Sequence, residues 1–279
     1  MEKPILVFQT DFTYKEGAVS AMYGVVKSVD RSLEIFTGSH EIPHFDAWSA
    51  SYRLWQTVRF WPEGTVFVSV VDPGVGTDRR ACAAITEDGY VIFTPDNGTL
   101  THVADYHGIK EIREIDYKNR RPAGAGSAVF DGRDLFGYNA ARFAAGLISF
   151  EDLGPSYSPD EIIRFELPGS EWDGNRLKGC FEIADPNFGN LWSSITADDF
   201  ERAGFSCGEK YRLRVFHQGE LKYDAIMPFE RAFGDVPKGA PLLYVNELLK
   251  ISAALSEDNM MTQCGLGYGP DWTVEIGRA

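Results

Sequence analysis

Three aspartates in the first hundred residues stand where strand-like runs stop: Asp11 after Pro4–Thr10, Asp72 after Thr65–Val71 and Asp96 after Tyr90–Pro95. A fourth, Asp134, precedes a helical stretch in Phe130-Asp131-Gly132-Arg133-Asp134. Ligands of open α/β sheets bind outside the carboxyl ends of the strands. Carboxylates gathered there can bind a divalent cation or accept hydrogen bonds from ribose hydroxyls. Alternatively, each only ends its strand or caps the next helix. The richest segment is TVFVSVVDPGVGTDRR, Thr65 to Arg80. Its apolar, β-branched run reads as a strand buried on both faces, as in parallel sheets. It delivers Asp72 to a Pro-Gly-x-Gly turn, with Arg79 a few residues on.

Other chemistries find no support in the sequence. There is no GxxxxGK[ST], no GxGxxG opening a helix, no GxSxG elbow and no HExxH. Cys82, Cys180, Cys207 and Cys264 lie far apart, with no CxxC, which predicts reduced thiols. His40 and His44 bracket Pro43, so a shared helical face for a metal is not expected. The net charge of −14 leaves no basic stripe for nucleic acid or an anionic membrane. The N-terminal apolar run is too short for a signal peptide, and no stretch reaches membrane-span length. A cytoplasmic protein without membrane or nucleic-acid partners is the expectation.

The elements that must position these residues alternate over the first part of the chain. Strands are predicted at Pro4–Thr10, Leu33–Gly38 and Thr65–Val71, and helices at Gly17–Val29 and Asp46–Phe60. Ala81–Thr86 and Tyr90–Thr94 flank Glu87-Asp88-Gly89 as a hairpin. Asp134–Leu147 reads as one helix ending near Gly146. The Pro/Gly/Ser-rich stretch from Leu167 to Asn175 marks a boundary. Beyond it, Leu177–Asp185, Leu191–Ile195, Tyr211–Phe216 and Leu242–Val245 are short strands between polar turns. The predicted architecture is an α/β domain over 1–168 and a smaller, mostly-β, barrel-like domain over 169–279. In the latter, Asp185–Trp192 (DPNFGNLW) is either a hairpin turn or a loop whose Phe188 stacks on a ring and whose Asn190 reads a purine edge.

Taken together, Thr10-Asp11, HEIPHFDAWSA (His40–Ala50), FWPEGTVFVSVVDPGVGTDRR (Phe60–Arg80), TPDNGTLT (Thr94–Thr101), FDGRDLF (Phe130–Phe136) and DPNFGNLW (Asp185–Trp192) occur in this order. The chain thereby resembles the S-adenosyl-L-methionine hydroxide adenosyltransferases, the group that also contains the bacterial fluorinase and chlorinase. The resemblance spans nearly the whole chain. It implies displacement of L-methionine from ribose C5′ of S-adenosylmethionine by water or hydroxide, giving adenosine, with no further cofactor and no metal. It also implies a homotrimer whose sites are completed by a neighbour's C-terminal domain.

By the same resemblance, Asp11 holds the ribose hydroxyls, Glu16 meets the methionine ammonium, and Phe45 stacks on the ligand. Asp185 contacts the ammonium, while Phe188 and Asn190 contact adenine. Relatives surround the attacking water with an Asp-Arg-His set, of which Asp72 and Arg79 match two. Where relatives read FHGRD, this chain has Asp131. The expectation is that Arg79 orients the water while Asp72 and Asp131 polarise it, Asp131 as a general base. The alternatives are a non-catalytic binder of S-adenosylmethionine or adenosine, or an enzyme with another nucleophile. Halide is disfavoured among these, because a second carboxylate repels an anion.

Overall fold

A computed structural model describes residues 2–122 and 129–279, which fall into two compact units, Met1–Phe165 and Glu166–Ala279. The first contains β1 (Leu6–Thr10), α1 (Ala18–Val29), β2 (Ile35–Ser39), α2 (Ala47–Val58), β3 (Val66–Val70), β4 (Ala81–Thr86), β5 (Val91–Pro95), α3 (Thr101–His107), β6 (Ile109–Glu114), α4 (Tyr138–Ala144) and β7 (Ser156–Tyr157). Its sheet runs in the order β2-β1-β3-β5-β4-β6-β7. The first four of these are parallel, and β4, β6 and β7 are added antiparallel. The expected hairpin is β4–β5, closed by the Gly89 N–H on the Thr86 carbonyl at 3.1 Å.

Strands β1 and β3 are buried along their whole length, which is why their sequences are continuous apolar runs rather than alternations. Successive side chains point to opposite faces. Leu6, Phe8, Val66, Val68 and Val70 pack on Met22 and Val26 of α1 and on Ala140, Ala141 and Ala144 of α4. The other face of the sheet meets α2, where the Gln9 amide reaches the Ala50 carbonyl at 2.9 Å. Helix α2 starts where the sequence signals it, with the Asp46 side chain accepting from the Ser49 N–H. The helix expected over Asp134–Leu147 differs in one respect. A π-helical turn, Gly132–Gly137, precedes α4, with Asp131 as its N-cap residue.

The second unit contains β8 (Glu171–Trp172), β9 (Arg176–Ala184), β10 (Leu191–Thr196), α5 (Ala197–Arg202), β11 (Lys210–His217), β12 (Glu220–Pro228), β13 (Pro241–Val245), β14 (Lys250–Leu255), α6 (Met260–Gln263) and β15 (Trp272–Arg278). The strands follow the order β12-β11-β15-β9-β10-β14-β13, every neighbour antiparallel, with β8 beside β9. A bridge between Phe229 and Leu243 brings the two edges together, so the sheet is a nearly closed barrel. Phe181, Leu191, Tyr211, Leu213 and Ile276 fill it, and Phe200 of α5 joins the same cluster. Among the described residues, no helix is long and apolar enough to cross a membrane.

Candidate active site

Thr10 lies opposite Val70 in the parallel pair β1–β3, so Asp11 and Asp72 leave the sheet at the same carboxyl edge. The chain passes from β1 to β2 on one side and then to β3 on the other, which makes this edge a topological switch point. A cavity of about 320 Å³ opens there, lined by Asp11, Phe12, Glu16, His44, Phe45, Asp72 and Val75. Four of the residues singled out in the sequence thus share one pocket.

Short local bonds hold the side chains that line this pocket. Asp11 is buried, and its Oδ2 accepts the Phe45 N–H at 2.9 Å. That bond supports an unusual backbone. Phe45 sits at φ +65°, a region non-glycine residues seldom adopt, with its ring 73 % exposed. Glu16 accepts the Ala18 N–H at 2.9 Å, just ahead of the Gly17 N-cap of α1. Behind Asp11, Thr10 Oγ1 pairs with His40 Nδ1 at 2.7 Å, and His40 Nε2 with the Tyr23 hydroxyl at 2.8 Å. Burial pushes the His40 imidazole down to about 4, so it is neutral at physiological pH.

The loop after β3 folds Arg79 back over Asp72. The Val75 N–H bonds the Asp72 carbonyl and the Thr77 N–H the Gly74 carbonyl, with Gly76 supplying the positive φ that the turn requires. Arg79 Nε then lies 2.9 and 3.1 Å from the two Asp72 oxygens, and Nη2 bonds Asp72 Oδ2 as well. Its guanidinium stacks over the Phe136 ring at 5.4 Å. Burial alone lowers the Arg79 pKa. The hydrogen bond and charge of Asp72, followed by the hydrogen bond of Asp131, outweigh this and hold it above the ordinary arginine value.

Asp131 belongs to the same network but does not line the cavity. Its side chain is fully buried, with Oδ2 accepting Arg79 Nη2 at 2.7 Å and the Tyr117 hydroxyl at 2.7 Å, and Oδ1 paired with Arg120 Nη1. The π-helical turn also buries Asp134, which takes Arg121 Nε at 2.9 Å and Arg133 Nη2 at 2.6 Å. Asp131 is thus bonded to Arg79 behind the cavity wall, with both of its oxygens engaged. Tyr117 and Arg120 are the residues that the sequence reading missed. Each lies more than ten positions before Asp131, with no spacing that ties them to it.

Asp96 does not join this group. It accepts the Ile163 N–H at 2.9 Å and the Tyr157 hydroxyl at 3.1 Å, and pairs with Arg80 Nε at 3.2 Å. Burial, the largest influence on it, raises its pKa. It fastens the 157–163 segment to β5, so the three strand-end carboxylates do not converge. Among the described residues, no three His, Cys, Asp or Glu side chains are grouped to hold a metal ion.

In the second unit the β9–β10 loop carries Asp185, Phe188 and Asn190. Asp185 Oδ1 accepts the Asn187 and Phe188 N–H groups, and its N–H meets the Asn190 carbonyl at 2.8 Å. Gly189 has φ +72°, and a Cβ there would collide with Asn259. This tight turn leaves the Phe188 ring 67 % exposed and Asn190 buried at 8 %. The Asn190 carboxamide makes no hydrogen bond among the described residues. It lines a cavity of about 510 Å³ with Phe188, Phe233, Leu255, Glu257 and Asn259. A stacking ring beside an unspent donor and acceptor suits a flat heterocycle. Asp185 lies at the base of the turn and does not line this cavity.

Residues 6–154 match the SAM hydroxide adenosyltransferase N-terminal domain, and residues 179–273 match the SAM hydroxide adenosyltransferase C-terminal domain. The chain belongs to the SAM hydroxide adenosyltransferase family. It is 31 % identical over 276 residues to an (R)-S-adenosyl-L-methionine hydrolase of Salinispora tropica, covering 98 % of each chain. It is 30 % identical over 267 residues to a fluorinase of an Actinoplanes species, covering 87 % of this chain and 88 % of the relative. A crystal structure of an uncharacterised conserved protein from Thermotoga maritima superposes with a TM-score of 0.87 at 29 % identity, over 98 % of this chain and 100 % of that one.

Proposed function

We propose that this protein hydrolyses S-adenosyl-L-methionine to adenosine and L-methionine. The supporting observation is the Asp72–Arg79 pair at the switch-point edge, beside a cavity that also presents Asp11, Glu16 and Phe45. Water attacks ribose C5′ in line with sulfur. As the C5′–O bond forms, the C5′–S bond breaks and its electron pair neutralises the sulfonium. The second proton of the attacking water is released to solvent, so the sulfonium substrate and water give adenosine, L-methionine and H⁺. The leaving group is a neutral thioether and needs no general acid, so the barrier is one of alignment and desolvation.

Arg79 and Asp72 orient and polarise the water in this reading. Asp11 takes the ribose hydroxyls, Glu16 the methionine ammonium, and Phe45 stacks on the ligand. Asp185, Phe188 and Asn190 serve the ammonium and adenine groups, in a homotrimer whose sites are completed by neighbouring subunits. Asp131 acts through Arg79. Incubation of the protein with S-adenosylmethionine, followed by chromatography, tests the reaction: adenosine and methionine appear in equal amounts if it is right and neither appears if it is wrong. The burial of Asp131 among arginines favours one competing reading, a binder without turnover. Calorimetric binding of S-adenosylmethionine with no product formed would decide for it.

A further inference from the structure

Tyr117 opens a short 3₁₀ turn, Tyr117–Asn119, whose start is capped by the Asp116 side chain on the Lys118 N–H. Its ring is 45 % exposed, yet its hydroxyl reaches inward. That hydroxyl donates to Asp131 Oδ2 at 2.7 Å and accepts from Arg79 Nη1 at 3.1 Å. An arginine side chain has five N–H donors. For Arg79 the Nε–H goes to Asp72, the two Nη2 donors go to Asp72 and Asp131, and one Nη1 donor goes to Tyr117. Among the described residues, a single Nη1 N–H is left without an acceptor. Asp131 is held in the same way, by Arg79 and Tyr117 on one oxygen and Arg120 on the other.

We propose that Tyr117 is a positioning residue of the hydrolysis: by bridging Arg79 and Asp131 it fixes the guanidinium, and through it the Asp72 carboxylate that lines the cavity and faces the attacking water. This rests on the hydrolase reading. The phenol suits the task because it donates to one partner while accepting from the other, which neither a carboxylate nor an ammonium can do. Burial and the hydrogen bond to Asp131 raise its pKa, so it remains a donor throughout the physiological range. Its exposed ring edge carries little of the core, so removing only the hydroxyl leaves the packing in place.

The test is Tyr117→Phe in the full-length protein, read in two ways. Steady-state kinetics are expected to show kcat reduced about tenfold with KM and calorimetric affinity for S-adenosylmethionine within about twofold of wild type, as for an interaction made only at the transition state. An unchanged kcat, or a raised KM with kcat intact, overturns the proposal. Nitrogen-15 NMR of the Arg79 guanidinium gives a readout independent of turnover. Hindered rotation about its C–N bonds in wild type should become fast in the variant, and identical exchange in both proteins overturns the bridging role. A wild-type protein that forms no adenosine, with Arg79 still freed by the substitution, refutes the hydrolase reading and leaves the clamp intact.

Discussion

Replacement of Asp131 by asparagine is the most searching perturbation of the network. The change keeps the shape and removes one charge and one acceptor. In the native protein the two Asp131 oxygens receive three donors, from Arg79, Tyr117 and Arg120, at a site with no solvent access. An asparagine offers one oxygen and one NH₂. Whichever way it turns, an N–H is driven against an arginine, and the buried guanidiniums lose one counter-charge, leaving Asp72 to Arg79 and the more distant Asp134, 3.7 Å away, to Arg120. Breaking a buried ion pair on one side costs about 3–5 kcal/mol, and the retained acceptor places this case near about 3. For a unit of this size that corresponds to a fall in unfolding midpoint of about 6–12 °C. Differential scanning calorimetry of Asp131→Asn against wild type measures it. The matched control is Asp224→Asn, which breaks an equally well-formed pair with Arg212 on the solvent-exposed barrel surface, where no measurable shift is expected. A midpoint for Asp131→Asn within about 2 °C of wild type would refute the placing of Asp131 as a buried electrostatic anchor.

Two further outcomes follow from the same reading. His40, neutral and buried at about 4 against an unperturbed value near 6.5, binds its proton more readily in the unfolded chain. Its contribution to stability is therefore fully present above pH 6.5 and is lost as pH falls through the window to about 4, a change of about 3 kcal/mol. Urea unfolding at several pH values should show that slope, and His40→Gln should flatten it; parallel curves for the two proteins would contradict the assignment. At the other site, Asn190→Ala removes a buried carboxamide that lines the cavity beside Phe188 and should weaken binding of S-adenosylmethionine about tenfold by calorimetry, an unchanged Kd arguing against base recognition there.

Much of the site was legible before any coordinates. Runs such as LVFQT and VFVSV announce fully buried parallel strands, and their ends place Asp11 and Asp72 by topology alone. The turn residues between Asp72 and Arg79 likewise announce a loop that folds back. What the sequence hides is pairing across distance. Nothing local links Tyr117 and Arg120 to Asp131, and a π-helical turn has no pattern that separates it from the α-helix it leads into. In the barrel, β12 is largely exposed and lacks a clean alternation. Strand β14 begins at a lysine, which reads as surface. Lys250 is in fact buried against Glu182 between β14 and β9, so a paired charge masks the strand.

The exchange at position 131 bears on which nucleophile the site can use. Asp72 and Asp131 contribute two negative charges around Arg79, and a lone guanidinium would leave one of them uncompensated in a buried setting. Arg120 supplies the missing cation, bonded to Asp131 on the side away from Arg79. Arg79 itself faces two aspartates, while Arg121 and Arg133 are bonded to Asp134, with Arg120 Nη2 3.7 Å from the same carboxylate. No positive surplus remains on the Asp72–Arg79 pair to draw in an anion. Binding a halide there would place a third negative charge beside two carboxylates, whereas water asks only for a donor and an acceptor. Asp72, at the cavity wall, offers it carboxylate lone pairs, with the Arg79 guanidinium bonded behind. In the proposed hydrolysis, the aspartate at 131 therefore weighs against halide and for water through the negative charge it adds beside Arg79, rather than through any proton it takes.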